Sequence, residues 1–287
     1  MKSHAYSRIL LATDGSAPAE NAEAVAASIA LAANAKVRVV HAWSLDVLEH
    51  AGVRDVETRG QAEALASAAV DRLRGYGVQA DSEISRSDHN HIADAIIACA
   101  DEFEAEVVVV GSRGLSDWQS LRHHSVSHRI LTAFEGPVLI VRGRKPERVH
   151  RAWNVLLAIA GGDDLEPGVR AAEALAAAPG SKVVVLHVAQ AIVGVQGFSY
   201  VETDEEIEAT VARACAMLRD GGLSPESIIA EPGAVANVVA ETAAQPGADI
   251  IVIGSSRMGD LASMLFGSVT HELLRATDRP VLVAGRE

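Results

Sequence analysis

The strongest constraint on this chain is an internal duplication. The segment Arg8-Ile-Leu-Leu-Ala-Thr-Asp14-Gly-Ser recurs as Asn154-Val-Leu-Leu-Ala-Ile-Ala160-Gly-Gly, and Val37-Arg-Val-Val-His41-Ala recurs as Val183-Val-Val-Leu-His187-Val. Glu106-Val-Val-Val-Val-Gly-Ser-Arg returns as Asp249-Ile-Ile-Val-Ile-Gly-Ser-Ser, and Gly136-Pro-Val-Leu-Ile-Val as Arg279-Pro-Val-Leu-Val-Ala. From Glu106 and Asp249 onward the offset holds at 143 residues (249 minus 106). A period this long marks a duplicated domain and not a short solenoid unit. The copies are expected at 1–145 and 150–287, joined by a polar linker over 143–152.

Within each copy, apolar runs of strand length alternate with longer helical patterns. In the first copy the strands are expected near 7–13, 36–42, 78–85, 106–111 and 137–141. Helices are expected over 17–34, 58–75, 90–103 and 125–134. Near-continuous Val, Ile and Leu runs suit strands covered by helices on both faces. Strict β/α alternation implies right-handed crossovers and a parallel sheet. The expected fold class is therefore α/β, with two tandem doubly wound five-stranded domains. Aromatics are only 3% of the 287 residues against 49% hydrophobic, so Ala, Val, Leu and Ile must build the core.

The formal net charge of −13 opposes nonspecific nucleic-acid binding, which needs a basic face to release counterions. One basic island, from Arg142 to Arg151, reads as a solvated connector or as a docking patch for an acidic partner. Two distant cysteines, Cys99 and Cys215, make no disulfide framework and sit in Ala-rich helical patterns as small hydrophobes. No apolar run reaches membrane-span length and the N-terminus lacks a leader pattern, so a cytoplasmic location is expected.

Doubly wound sheets bind ligands outside the carboxyl ends of their strands, where the strand order reverses. Three places qualify: Asp14 after strand one, the residues after His41 on strand two, and the loop after strand four. That loop reads GSRGLSDWQSLRHHSVSH from Gly111 to His128. Gly111 and Gly114 allow close approach to the main chain, and Ser125 stands where the next helix is expected to begin. The stretch is either a phosphate cradle or an ordinary tight βα turn.

Taken together, these motifs resemble the universal stress proteins in their tandem two-domain form. Nucleotide-binding members carry Gly, two residues, Gly, nine residues, then Gly and Ser or Thr, with an Asp ending the first strand. The resemblance spans nearly the whole chain and implies an adenine-nucleotide alpha-hydrolase-like, Rossmann-like fold with bound ATP or ADP, accompanied by Mg²⁺. It implies that Asp14 contacts the adenosine end, that Ala42 and Val188 line the adenine pockets, and that Gly111, Gly114 and Ser125 hold phosphates. In the second copy Gly254, Gly267 and Ser268 would do so, the last two at a helix start. His124 replaces the third glycine of the first copy. Ala160 and Arg257 replace the Asp and the second glycine of the second copy. The first copy is thus the better ATP site. His124 and Arg257 are read as narrowing the cradle, although either could supply a charge-assisted hydrogen bond.

No nucleophile elbow, zinc-protease motif or Walker lysine is present, so no catalytic residue is assigned and at most very slow ATP hydrolysis is expected. His89, His91, His123, His124 and His128 read as polar loop histidines and not as a metal site. His41 and His187 are expected to be satisfied by backbone partners. The apolar last strands imply an internal pseudo-dimer and a homodimer. The functional expectation is a stress-response regulator acting through nucleotide occupancy on an unknown protein partner. A scaffold without nucleotide is the alternative, and an adenylyl- or phosphoryl-transfer enzyme a further one.

Overall fold

The apolar runs form parallel strands, and the amphipathic stretches between them form helices. A computed structural model of the protein describes residues 5–43, 57–87, 91–112, 126–143, 149–162, 164–194, 197–245, 247–254 and 262–285. The chain divides into two units, Tyr6–Arg151 and one built on Ala152–Glu287.

The first unit runs β1 (Arg8–Ala12), α1 (Ala17–Ala33), β2 (Lys36–Trp43), α2 (Arg59–Gly75), β3 (Gln79–Arg86), α3 (Ile92–Phe103), β4 (Val107–Gly111), α4 (Val126–Ala133) and β5 (Val138–Val141). Its strands lie in the order β5-β4-β1-β2-β3 and pair in parallel. Strand order therefore reverses between β1 and β4. The second unit runs β6 (Asn154–Ile159), α5 (Glu166–Leu175), β7 (Lys182–Val188), β8 (Ala191–Gly194), β9 (Gly197–Tyr200), α6 (Asp204–Asp220), β10 (Glu226–Ala230), α7 (Val235–Ala244), β11 (Ile250–Ile253), α8 (Ala262–Ala276) and β12 (Val281–Val283). Its order, β12-β11-β6-β7-β10, repeats that of the first unit. Among the described residues the second unit also carries the antiparallel β8–β9 hairpin, within a segment that the sequence presents only as a long connection.

Central strands are buried along their length, as β1 and β4 show with Ile9, Leu10, Leu11 and Val107 to Val110. Alanines at 19, 22, 26, 27 and 30 form the buried side of α1 and let it lie close to the sheet. Asn34 ends α1 in the left-handed conformation at φ 54°, a role open to Asn because its short polar side chain tolerates that region. α2 and α6 both start with a reciprocal capping box, Thr58 with Gln61 and Thr203 with Glu206. Cys99 and Cys215 are buried and unbridged, as their helical context suggests. Arg142, by contrast, does not join a solvated basic connector: it is buried directly after β5.

Two ion-pair groups mark the first unit. Arg72 on α2 donates two hydrogen bonds, of 2.6 and 2.8 Å, to Glu23 of α1, whose side chain is 2% exposed. At the sheet margin Arg38 grips Asp81 bidentately, Lys36 lies 2.6 Å from the same carboxylate, and Glu83 lies 3.5 Å from Arg38. The Arg38 hydrogen bond holds the Asp81 carboxyl below its ordinary value; partial burial opposes this and Lys36 adds to it. A carboxyl depressed in the folded state contributes stability above its unfolded value, near 4, and loses it as pH falls through the lower folded value. Asp81→Asn is thus expected to flatten the acid limb of the unit's stability profile below about pH 4, read by urea midpoints against pH. An unchanged slope would show that solvent already screens the cluster.

Candidate functional site

The carboxyl end of β1 is shaped by local hydrogen bonds. Thr13 extends the ladder by donating its N–H to the Val40 carbonyl at 3.0 Å, and its hydroxyl oxygen accepts from Gly15 N–H at 3.2 Å. Asp14 is exposed, and its Oδ1 accepts from the Ser16 N–H at 3.0 Å and from the Ser16 hydroxyl. This turn presents the carboxylate at the strand end and places Ser16 as the residue before α1. Gly15 takes φ 71°, and a β-carbon there would fall 2.8 Å from Leu65 Cδ1. Glycine meets both demands.

Gly111 ends β4, one strand away. A β-carbon on it would lie 2.5 Å from the Pro18 carbonyl oxygen and 2.8 Å from the Ala19 nitrogen. Its lack of a side chain therefore seats the first turn of α1 on the strand end. Ala42 occupies the corresponding place on β2, half-buried beside Ser85 of β3. Asp14, Ala42 and Gly111 thus stand at the carboxyl ends of neighbouring strands, around the reversal of strand order. Gly114, His124 and Ser125 lie outside the described residues.

In the second unit Val188 is buried at the end of β7, and Ala160, Gly161 and Gly254 are exposed. Gly254 has open space where a side chain would go, and the start of α5 carries Gly168 opposite it. Gly267 and Ser268 do not begin a helix: α8 already starts at Ala262. The run Ala262-Ser-Met-Leu-Phe contains good helix formers and no proline, so the helix extends upstream of them. Only the first four N–H groups of a helix lack internal acceptors. Those of Gly267 and Ser268 are therefore committed within the helix.

One feature of the strand ends is not apparent from the sequence motifs. His41 is buried at the end of β2. Its Nδ1 lies 2.8 Å from the Thr13 carbonyl oxygen, and its Nε2 lies 3.0 and 2.9 Å from the two oxygens of Glu57. A carbonyl only accepts, so Nδ1 carries the hydrogen there. The second unit repeats the device, with His187 Nε2 3.1 Å from Glu202. In each case the glutamate directly precedes the N-cap threonine of the following helix. The repeated Val-Glu-Thr at 56–58 and 201–203 was the available signal. The expectation of backbone partners holds only for His41. His187 Nδ1 has no partner among the described residues although the side chain is buried, an arrangement that costs about 1–3 kcal/mol.

The two glutamates differ in reach. Both oxygens of Glu57 turn to His41. Only Oε2 of Glu202 bonds His187, while Oε1 lies against Gly161, in the space that a side chain there would take. Arg213 of α6 donates to the Gly162 carbonyl, so the second loop is tied from two sides. A cavity of about 810 Å³ in this unit lies at the other, amino end of the sheet, beside Asn154, Ser181, Lys182, Gly222 and Glu226. It shares no residue with the carboxyl-end positions. Among the described residues no group of three or more His, Cys, Asp or Glu side chains could hold a metal ion, and no helix is long and apolar enough to cross a membrane.

The model of the universal stress protein family matches twice, over residues 5–142 and 153–285. The chain belongs to the universal stress protein family. A universal stress protein of Thermus aquaticus is 35% identical over 146 residues, which cover 48% of this chain and 99% of that one. The crystal structure of a universal stress protein from Archaeoglobus fulgidus aligns over 98% of both chains with a TM-score of 0.72 at 20% identity. Another Archaeoglobus fulgidus universal stress protein, solved in complex with dAMP, aligns over 47% of this chain and 97% of its own, with 26% identity and a TM-score of 0.37. This universal stress protein is therefore a tandem member with two domains of the family's α/β fold, as the duplicated motifs imply.

Proposed function

We propose that the chain is an ATP-binding regulator of the stress response, acting through nucleotide occupancy, and that the ATP site lies in the first unit. One observation carries this reading: the end of β1 presents an exposed aspartate in the first copy, whereas the matching strand end of the second has alanine and a glutamate carboxylate against the next glycine. In the first unit Asp14 is exposed at the end of β1, with Gly111 and Ala42 on the flanking strands and Glu57 held by His41. In the second, alanine stands at 160 and the Glu202 carboxylate lies on Gly161. The Glu202 carboxylate thus takes up space beside Ala160, at the strand end that corresponds to the proposed adenosine contact of the first unit. In the first unit Asp14 offers an acceptor to ribose hydroxyls. Mg²⁺ would enter as the companion of ATP, and occupancy rather than turnover would carry the signal to a protein partner.

The test is nucleotide content and calorimetry. Denatured protein should release an adenine nucleotide, and the emptied chain should bind Mg-ATP at one site. Asp14→Ala should weaken binding at least tenfold, the loss of about 1.4 kcal/mol. The absence of both copurified nucleotide and a thermal shift with excess Mg-ATP would refute the reading and leave the scaffold alternative. Two equivalent sites per chain would refute the assignment to the first unit.

A further inference from the structure

We infer that β10 is a self-association edge, whose open side pairs antiparallel with β10 of a second copy of this chain. β10 closes the order of its unit's sheet and pairs in register with β7 alone among the described strands. It carries Ile228 and Ile229, which are 37% and 49% exposed. Adjacent strand residues point to opposite faces, so both faces of this edge are apolar.

Comparison with the first unit shows what is missing. Val40 pairs with Glu83, and its counterpart Leu186 pairs with Ile228. By the same register Asp81 corresponds to Glu226, Ile84 to Ile229, and Arg38 to Val184. The edge strand β3 bears Asp81 and Glu83, which form an ion-pair cluster with Lys36 and Arg38 of β2. Charges of this kind blunt an edge against further pairing. In β10 the inner glutamate has become isoleucine and its arginine partner valine.

Charge also selects the occupant and its direction. The strand reads Glu226-Ser-Ile-Ile-Ala230. Two copies paired antiparallel about Ile228 set Ile228 against Ile228, Ser227 against Ile229, and Glu226 against Ala230. At about 3.4 Å per residue the two Glu226 residues then stand about 14 Å apart along the strands, beyond the screening length of about 8 Å at physiological salt. Parallel pairing would set Glu226 on Glu226. The antiparallel arrangement is closed by a twofold axis and consumes the edge. It involves neither Asp14 nor the carboxyl-end loops, so it stands independently of ATP binding.

The experiment uses the full chain. Sedimentation equilibrium should show a dimer at tens of micromolar, and Ile228→Lys with Ile229→Lys should raise its dissociation constant at least tenfold. Register is read by cysteine crosslinking. Ile228→Cys should form a disulfide-linked dimer on mild oxidation, as should a mixture of Glu226→Cys and Ala230→Cys chains, whereas Glu226→Cys alone should not. Cys99 and Cys215 are buried, and burial pushes the Cys99 thiol up to about 12, so the native cysteines stay silent. A chain monomeric at all concentrations, a dimer indifferent to the lysine pair with Ile228→Cys failing to crosslink, or self-crosslinking of Glu226→Cys as efficient as that of Ile228→Cys would each overturn the proposal.

Discussion

Gly111→Ala is expected to destabilise the first unit by about 3 kcal/mol, while Gly254→Ala at the matching strand end stays within about 0.5 kcal/mol. The asymmetry follows from what each new methyl group meets. At Gly111 it strikes the Pro18 carbonyl and the Ala19 nitrogen, backbone atoms of a helix start that cannot rotate away. At Gly254 it meets nothing within 4 Å. For a unit of this size the loss corresponds to roughly 6–12 °C in the melting temperature. Differential scanning calorimetry of the two variants decides the matter. Equal melting of both would show that α1 shifts without cost. Because α1 starts beside Asp14, the proposed ATP site predicts that the same variant also loses ATP affinity, through displacement of that helix start.

Arg72→Met is expected to cost about 3 kcal/mol, because it strands the Glu23 carboxylate inside the α1–α2 contact. The second unit suggests the rescue. When the starts of α1 and α5 are superposed at Pro18 and Pro167, Glu23 falls on Ala172. Aligning the capping boxes sets Arg72 on Met217. The duplicate has thus replaced an ion pair with alanine and methionine, and Ala172 is fully buried. Glu23→Ala combined with Arg72→Met should therefore return to within about 1 kcal/mol of the parent, since a buried pair replaced whole by apolar residues is often neutral. A double-mutant cycle by urea unfolding measures this. If the double substitution costs the sum of the two single ones, the pair is not coupled and the reading fails.

Chain organisation was legible because burial on both faces leaves continuous apolar strands, and those runs repeat. Helix limits in the first unit agree to within two residues, and the structure shows Pro18, Asn34 and the Thr58 capping box at the ends of α1 and α2. The β8–β9 hairpin was not legible, since its two four-residue strands fall below the length at which alternation is convincing. The start of α8 was also misplaced. A Gly-Ser pair suggests a helix beginning, yet the Ala-Ser-Met-Leu run before it carries the helix further back. At the candidate site, the sequence places Asp14, Ala42 and Gly111 at strand ends, and the structure finds them there; that the nearest neighbours of Gly111 are atoms of α1 was not legible, because the sequence offered a phosphate cradle or a tight turn and neither names the helix it abuts. The His41–Glu57 pair joins a strand end to a helix start 16 residues on, a separation no local pattern encodes. Only comparison of the two Val-Glu-Thr segments could have raised it.

That histidine–glutamate corner also bears on how the duplicated chain has diverged. Both halves keep the imidazole, the carboxylate and the capping threonine, while the strand-end aspartate survives in one half alone. Two copies carried in one polypeptide share expression and folding environment, so a feature kept in both halves answers to the architecture they have in common, and a feature kept in one answers to something particular to that half. The corner falls in the first class and Asp14 in the second. Under the proposed nucleotide site, the half without the aspartate serves as a built-in control that records the mechanical needs of the other.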